Sequence, residues 1–323
     1  MDSGPKVSVV TPFYNTAEFL AEAIESVLSQ TYSNFEYLLV DNKSTDGSGD
    51  IARRYAALDP RIRFFENAAF VGQIDNYNGA LSKIGGDSKY VKMVQADDAA
   101  MPDCLERMVA VAEQHPSIGL VSSYYFYGND PSGTGVPRNL TFMSGKDVCR
   151  LMLLEKHFVV GTPSVVMYRA DLVRAREQFY PLGRYHPDTE AAYSILLGHD
   201  FGFVHQLLSF VRADNVSITT KRRIFNPGPL DYLMVIERFG RAVLSDAEFR
   251  ELADREWKTY WEFLGTSALR FRRQDFWKYH REGLATIDKK IDPSVVARGA
   301  VRRIASRALS PLGELTRRFS RAR

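Results

Sequence analysis

Two adjacent carboxylates, Asp97 and Asp98, close a strand-like run, Tyr90 to Gln95. Side by side at the end of a buried strand they repel one another and lose solvation, so a bound cation or a ligand that demands charge would relieve both. Oxygen ligands favour magnesium or manganese, and such an ion would bridge two phosphates. A solvated pair ahead of the helix that Pro102 and Asp103 begin is the plainer reading. Asp41 ends an earlier strand-like run, where a carboxylate can accept the imide N–H of a pyrimidine while main-chain groups near Thr11 and Pro12 fix the base edge; it could equally cap the next turn. Asp46, in Ser-Thr-Asp-Gly, reads as turn chemistry. No Gly-x-Gly-x-x-Gly follows the first strand and no Walker A pattern occurs, which removes most support for a dinucleotide dehydrogenase or a P-loop ATPase.

The elements that must hold these residues alternate. Lys6 to Thr11 reads as a strand, Glu18 to Gln30 as a helix, Phe35 to Asp41 as a strand and Asp50 to Leu58 as a helix. Further strands are expected at Arg61 to Glu66, Tyr90 to Gln95 and Leu120 to Tyr127, with helices at about Gln73 to Lys83 and Asp103 to His115 between them. Such βαβ units imply a mostly parallel sheet covered on both faces, with ligands at the carboxyl ends of its strands. Asn129 to Asn139, rich in Gly and Pro, reads as an exposed loop. Beyond it a helix is expected from Lys146 to Glu155, a strand at Ser164 to Tyr168 and a helix from Asp188 to Leu197. Phe201 to Val204 and Leu207 to Arg212 read as a hairpin-like pair. From Leu230 onward the pattern is helical and aromatic, a helical appendage.

With 323 residues the chain is long enough for one large domain or two. Its 45% hydrophobic and 25% charged residues exclude a disordered or collagen-like chain. The apolar stretch Phe158 to Tyr168 is too short and too interrupted to span a bilayer, and no signal-peptide pattern heads the sequence. A cytoplasmic protein is expected, with Cys104 and Cys149 as buried thiols. The net charge of +3 conceals an asymmetry: Ser294 to Arg323 holds eight arginines and one acid, Glu314. A basic amphipathic tail on an acidic body suggests contact with an anionic membrane surface.

In order along the chain stand VSVVTPFYN (7–15), LLVDNKSTDGS (38–48), Glu66-Asn67 with Gly72, Asn76 and Asn78-Gly79, and DSKYVKMVQADD (87–98) followed by Pro102. Downstream come Gly161-Thr162-Pro163-Ser164, His186-Pro187-Asp188-Thr189-Glu190 and FGFVHQLLSFVRADNVSIT (201–219). This ordered set resembles the family 2 glycosyltransferases of the GT-A fold, over about residues 6 to 220. The resemblance implies a Rossmann-like α/β domain over 1–222, with a nucleotide half to about 128 and an acceptor half from about 140. A helical extension over 223–293 and the basic tail over 294–323 complete the expected organisation.

The resemblance further implies a nucleotide-sugar donor, a UDP-sugar first, and a divalent cation, Mn2+ or Mg2+. Thr11, Pro12, Asn15, Asn67 and Asn76 would line the donor pocket and Asp41 would read the base. Asp97 would contact ribose or sugar, and Asp98, helped by Asp97, would hold the metal. Asp188 falls at the position of the general base, which implies inversion. Thr162, His186, Glu190 and Arg212 are acceptor-side candidates, although Arg212 could meet pyrophosphate or pair with Asp214. His186 and His205 could equally be packing residues. Two positions depart from the commonest form: Gln95 stands where an Asp is usual and Pro187 where a Glu is usual. The Gln-x-x-Arg-Trp motif of processive synthases is absent, so a single transfer per encounter is expected. The expected acceptor is a glycan or lipid-linked glycan at the inner face of the membrane, in surface polysaccharide or glycolipid assembly, with no nucleic-acid partner. A sugar-phosphate nucleotidyltransferase and a catalytically silent scaffold of the same fold are the alternatives.

Overall fold

The computed structural model describes residues 4–182, 186–213, 223–270 and 272–304. The chain divides into two compact units, Met1–Asn215 and Val216–Arg323. The first is built on one sheet. Its strands are β1 (Val7–Phe13), β2 (Phe35–Asp41), β3 (Ile62–Glu66), β4 (Tyr90–Met93), β5 (Ala99–Ala100), β6 (Ile118–Tyr127), β7 (Asp130–Ser132), β8 (Phe142–Met143), β9 (Met167–Arg169) and β10 (Asp200–Val211). The order across the sheet is β3-β2-β1-β4-β9-β6-β10-β5, with β7 on β6 and β8 on β10. The long ladders, β1 with β2 and β4, β2 with β3 and β6 with β10, are parallel. The short β9 runs antiparallel between β4 and β6.

Every residue of β1 and β2 is buried, as expected of central strands covered on both faces. The cover comes from α1 (Leu20–Leu28), α2 (Ser48–Leu58), α3 (Gln73–Leu81), α4 (Cys104–Ala112), α5 (Gly145–Leu154), α6 (Ala170–Arg174) and α7 (Pro187–Leu196). α1 turns Leu20, Ala23, Ile24 and Val27 inward at helical spacing, and α4 turns Leu105, Met108 and Val109 inward. Both cysteines are free and buried. This is a mixed α/β architecture with a multi-strand sheet between helices, as the sequence pattern implies.

Three local expectations are corrected. β1 continues past Pro12 to Phe13, because β4 leaves the ladder at the Val10–Met93 pair and Pro12 needs no donor on that side. The expected hairpin between Phe201 and Arg212 is one strand, β10, lying parallel to β6 with a register shift between Val204 and Leu207. His205 and Gln206 form a bulge there, not a turn. The His205 ring bonds Tyr124 Oη at 2.9 Å and Leu140 O at 2.7 Å, which gives it a packing role. The stretch expected to be wholly loop after Gly128 begins with β7, folded back antiparallel on β6.

The second unit is helical over its described residues. Helices Gly228–Val243, Asp246–Leu269 and Gln274–Ala285 come after a short 3-10 turn at Arg223–Phe225, and a further helix runs over 293–304. Ser245 and Glu248 form a capping box at the start of the longest. Phe276, Tyr279, Leu284 and Tyr260 are buried, together with His280. The helix over 293–304 buries Val296 and crosses the long helix backbone to backbone: a Cβ on Gly299 would stand 2.4 Å from Trp261 O, and one on Gly265 2.3 Å from Ala300 N. The first part of the basic tail is therefore packed, while Val301 and Ile304 at its described end are exposed. Residues 305–323 of the tail lie outside the described residues.

Candidate donor and acceptor site

Parallel strands β1, β2 and β4 end on the same edge of the sheet, and the loops after them are bound to one another by side chains. Asp41, 2% exposed, accepts the Ser44 N–H at 2.9 Å through Oδ1, so it caps its own turn. A Cβ on Gly49 would stand 2.8 Å from Asp41 Oδ2, so only glycine lets α2 approach the carboxylate this closely. Asn15, at φ +50°, accepts Thr45 N–H at 2.7 Å and donates its own N–H to Ser44 Oγ at 3.0 Å. Asp46 accepts Ala17 N–H at 2.9 Å and Ser48 N–H at 3.0 Å. Burial works against its charge, yet the bonds from Ser48 and Ala17 hold its carboxyl below the usual range. The turn reading of Asp46 stands.

The Thr11 hydroxyl is spent inside the sheet, donating to Val94 O at 2.7 Å and meeting Tyr37 Oη at 2.9 Å. What Thr11 and Pro12 offer a ligand is backbone. Asn67 and Asn76 are joined to each other: Asn67 Nδ2 donates to Asn76 Oδ1 at 2.8 Å and to Asn42 Oδ1 at 3.0 Å. Asn42 in turn brackets Val71, donating to its carbonyl at 2.9 Å and accepting its N–H at 3.0 Å. These amides fix the loop after β3 against the end of β2. On that loop Phe70, 60% exposed, lies against Tyr14, 43% exposed, with ring centroids 4.7 Å apart. Asn42, Tyr14 and Phe70 stand in the stretches at the carboxyl ends of the strands where the sequence places ligands, but no role is read there for them individually; the Asn directly after Asp41 was the available signal for the first.

The carboxylate pair sits past the end of β4. Asp98 is 4% exposed and Asp97 half-buried. Asp98 Oδ1 accepts the Arg212 N–H at 3.0 Å, and Oδ2 lies 3.3 Å from Gln95 Nε2. Burial first, and then the charge of Asp97, push the Asp98 carboxyl up to about 7, against bonds from Ser164, Arg212 and Gln95. Arg212 also donates from Nε to Asp97 O at 3.0 Å and from its guanidinium to Glu22 Oε2 at 2.9 Å, over the ring of Phe19. Its described carboxylate partner is thus Glu22; Asp214 lies outside the described residues.

Gln95 and Tyr77 link the donor end to the acceptor side. Tyr77 Oη donates to Gln95 Oε1 at 2.7 Å and accepts from Gln73 Nε2 at 2.9 Å. Burial, with the fields of Asp97, Asp98 and Asp188 in the same sense, raises the Tyr77 hydroxyl far above its ordinary value. One buried phenol thus feels three of the predicted carboxylates, although Asp188 lies 90 positions beyond Asp98. Asp188 is half-exposed on the first turn of α7 and accepts Thr189 N–H at 2.9 Å, whereas Glu190 is 8% exposed. Asn78 pins the segment leading to α7, with Nδ2 to Tyr180 O at 2.8 Å and Tyr180 N–H to Oδ1 at 2.9 Å. Gly161, at φ +80°, opens a turn closed by Val165 N–H on Thr162 O at 2.9 Å. His186 directly precedes α7. Among the described residues, no group of three or more His, Cys, Asp or Glu side chains could by itself hold a metal ion.

The long ladders of the sheet are parallel, and the paired acids Asp97 and Asp98 stand at its carboxyl edge. The model of the family "Glycosyl transferase family 2" matches residues 8–175, just over half the chain, and the chain belongs to that family. It is 44% identical over 116 residues to EpsE of Bacillus subtilis, covering 36% of this chain and 41% of that one. It is 30% identical over 145 residues to the glycosyltransferase GlyG of Streptococcus pneumoniae, covering 44% and 45%. These matches thus span less than half the length of either relative. Among solved structures, residues 1–349 of TarS from S. aureus in complex with UDP-GlcNAc share the fold with a TM-score of 0.63 at 16% identity, over 93% of this chain and 88% of that one. The mannosyltransferase PcManGT from Pyrobaculum calidifontis, in complex with GDP-Man and Mn2+, gives 0.56 at 16% identity, over 94% and 88%. Among the described residues, no helix is long and apolar enough to cross a membrane.

Proposed function

We propose that this chain transfers a sugar from a nucleoside-diphosphate sugar, a UDP-sugar first, to an acceptor hydroxyl with inversion at the anomeric carbon. The observation that carries the reading is the Asp98 carboxylate, buried beside Asp97, held by Ser164 and the Arg212 N–H, and sharing with Asp188 the field felt by Tyr77. Burying one acid beside a second, half-buried one costs stability unless a ligand uses them. Nucleotide complexes of the structural relatives TarS and PcManGT agree with a donor of this class.

The residues fit a divalent cation of the Mg2+ or Mn2+ kind, for which one or two carboxylates plus phosphate oxygens and water are the ordinary ligands. Asp98 and Asp97 would hold it, and when bound it would supply Lewis-acid stabilisation of the departing diphosphate. Gln95, neutral where an acid is usual, supports that pair through Asp98 instead of adding a third charge. Asp188 takes the proton of the acceptor hydroxyl as the acceptor oxygen bonds to the anomeric carbon and the bond from that carbon to the diphosphate oxygen breaks. Glu190 is the less accessible candidate because it is buried, whereas Asp188 stays partly exposed where an acceptor hydroxyl could reach it. With no Gln-x-x-Arg-Trp segment, one transfer per encounter is the expected mode. The acceptor side, at Thr162 and His186, would receive a glycan or lipid-linked glycan at the cytoplasmic face of a membrane, with the arginines of 294–323 toward anionic lipid.

Calorimetric titration of UDP, GDP, dTDP and CMP, each with and without MnCl2, tests this reading. We expect manganese-dependent UDP binding that is lost in Asp98→Ala. Wild-type protein that binds none of the four nucleotides, or an Asp98→Ala variant with unchanged manganese-dependent affinity, would overturn it.

A further inference from the structure

Lys92 lies within β4, paired with Val9 of β1 on one side and Met167 of β9 on the other, and is fully buried. An ammonium in such a core is costly to desolvate, and an apolar side chain of the same volume would avoid that cost. Burial accordingly pulls the Lys92 pKa down, while the neighbouring Cys104 and Asp98 act in the opposite sense. Its hydrogen bond goes to Ser164 O, which also accepts from Ser209 Oγ of β10 at 2.9 Å. The side chain of the same serine faces the acids: Ser164 Oγ accepts Gln95 N–H at 2.9 Å and bonds the Asp98 carboxylate. Ser164 therefore sits as a hinge pin between the buried Lys92 amine and the donor-site acid.

We infer that Lys92 is a positioning residue: by holding Ser164 O from inside the sheet it sets the Ser164 hydroxyl, and through it Gln95 and Asp98, in the arrangement that receives a diphosphate and its cation. The inference rests on the donor-site reading above, yet its structural half can be tested without any nucleotide. In Lys92→Met the Gln95 amide should exchange at least tenfold faster by NMR hydrogen exchange, while amides of β1 and β2 keep wild-type rates. UDP affinity in the presence of MnCl2 should fall about tenfold with little change in Tm. Ser164→Ala should produce the same loss, and Lys92→Met added to it should cost nothing further, because the two act in series.

Lys92→Leu, whose side chain carries no donor for Ser164 O, must show the same local loosening, so the inference does not depend on one variant folding. Wild-type exchange at Gln95 in these variants, or losses that multiply in the double mutant, would overturn it. General loosening of β1 and β2 would make Lys92 a structural residue and would also overturn it. Should wild-type protein bind no UDP, the donor-site reading fails, and exchange at Gln95 still decides the role of Lys92.

Discussion

All three tryptophans of the chain, Trp257, Trp261 and Trp277, lie in the second unit, and His280 is the only histidine there. Fluorescence excited selectively at tryptophan therefore reports on that unit. His280 is fully buried, with Nδ1 2.9 Å from Tyr260 Oη and Nε2 3.0 Å from Phe225 O. A carbonyl can only accept, so Nε2 carries the proton and Nδ1 accepts the tyrosine O–H. A second ring proton would break that bond in the middle of the rings of Tyr260, Phe263, Phe276 and Tyr279. Burial, opposed by the bond to Phe225, brings the His280 pKa down from 6.5 to about 4.

The unfolded unit thus binds a proton that the folded one refuses between about pH 6.5 and pH 4, so stability rises with pH through that window. The contribution is complete above pH 6.5 and is lost as the pH falls toward 4. At about 1.4 kcal/mol for each tenfold, it amounts to roughly 3 kcal/mol, enough to unfold a marginal unit. Urea unfolding monitored by tryptophan fluorescence at pH 7.5, 6, 5 and 4.5 should show a falling midpoint. In His280→Gln, whose amide can donate to Phe225 O and accept from Tyr260, the dependence between pH 7.5 and 5 should flatten. A midpoint that is constant across this range in wild type, or that falls equally in the glutamine variant, would refute the reasoning.

Two further outcomes are expected. Asp188→Asn keeps size and an oxygen to accept the Thr189 N–H but cannot take a proton, so kcat should fall by about 10² to 10⁴ with nucleotide affinity unchanged; comparable activity, or the same loss only in Glu190→Gln, would move the base elsewhere. Gly299→Val places a Cβ against Trp261 O, at 2.4 Å before any relaxation, and should lower the stability of the second unit by about 1–3 kcal/mol or more, read as a lower urea midpoint of tryptophan fluorescence. A wild-type midpoint would mean that the helix over 293–304 does not depend on that crossing.

Much of the first unit was legible because its information is local. The run Phe35 to Val40, apolar apart from Glu36, reads as a strand buried on both faces, and the helical spacing in α1 could only be met by one face on that sheet. Strand ends then put Asp41, Asp97 and Asp98 on one edge, and the order of the motifs pointed to the family. The bulge in β10 was misread for the complementary reason: a polar His205-Gln206 step looks the same in a turn and in a bulge, and the parallel neighbour β6, some 80 residues earlier, decides between them.

By itself, then, the sequence determined the layered α/β architecture, the edge at which chemistry is placed and the helical nature of the second unit, since each is written in residue types at fixed period. Only the tertiary structure decided what each polar side chain is engaged with. The Thr11 hydroxyl is engaged by Val94 O, which leaves the residue only its backbone for a ligand, and Lys92, one charge in an apolar strand, acquired a meaning only when Ser164 arrived from 72 positions away. Asn78 meets Tyr180 across 102 positions, and His280 owes its lowered pKa to burial among the rings packed on it, against the bond to Phe225 O. Hydrogen-bond partners and desolvation belong to neighbours that the chain brings together only on folding, and no spacing along one segment encodes them.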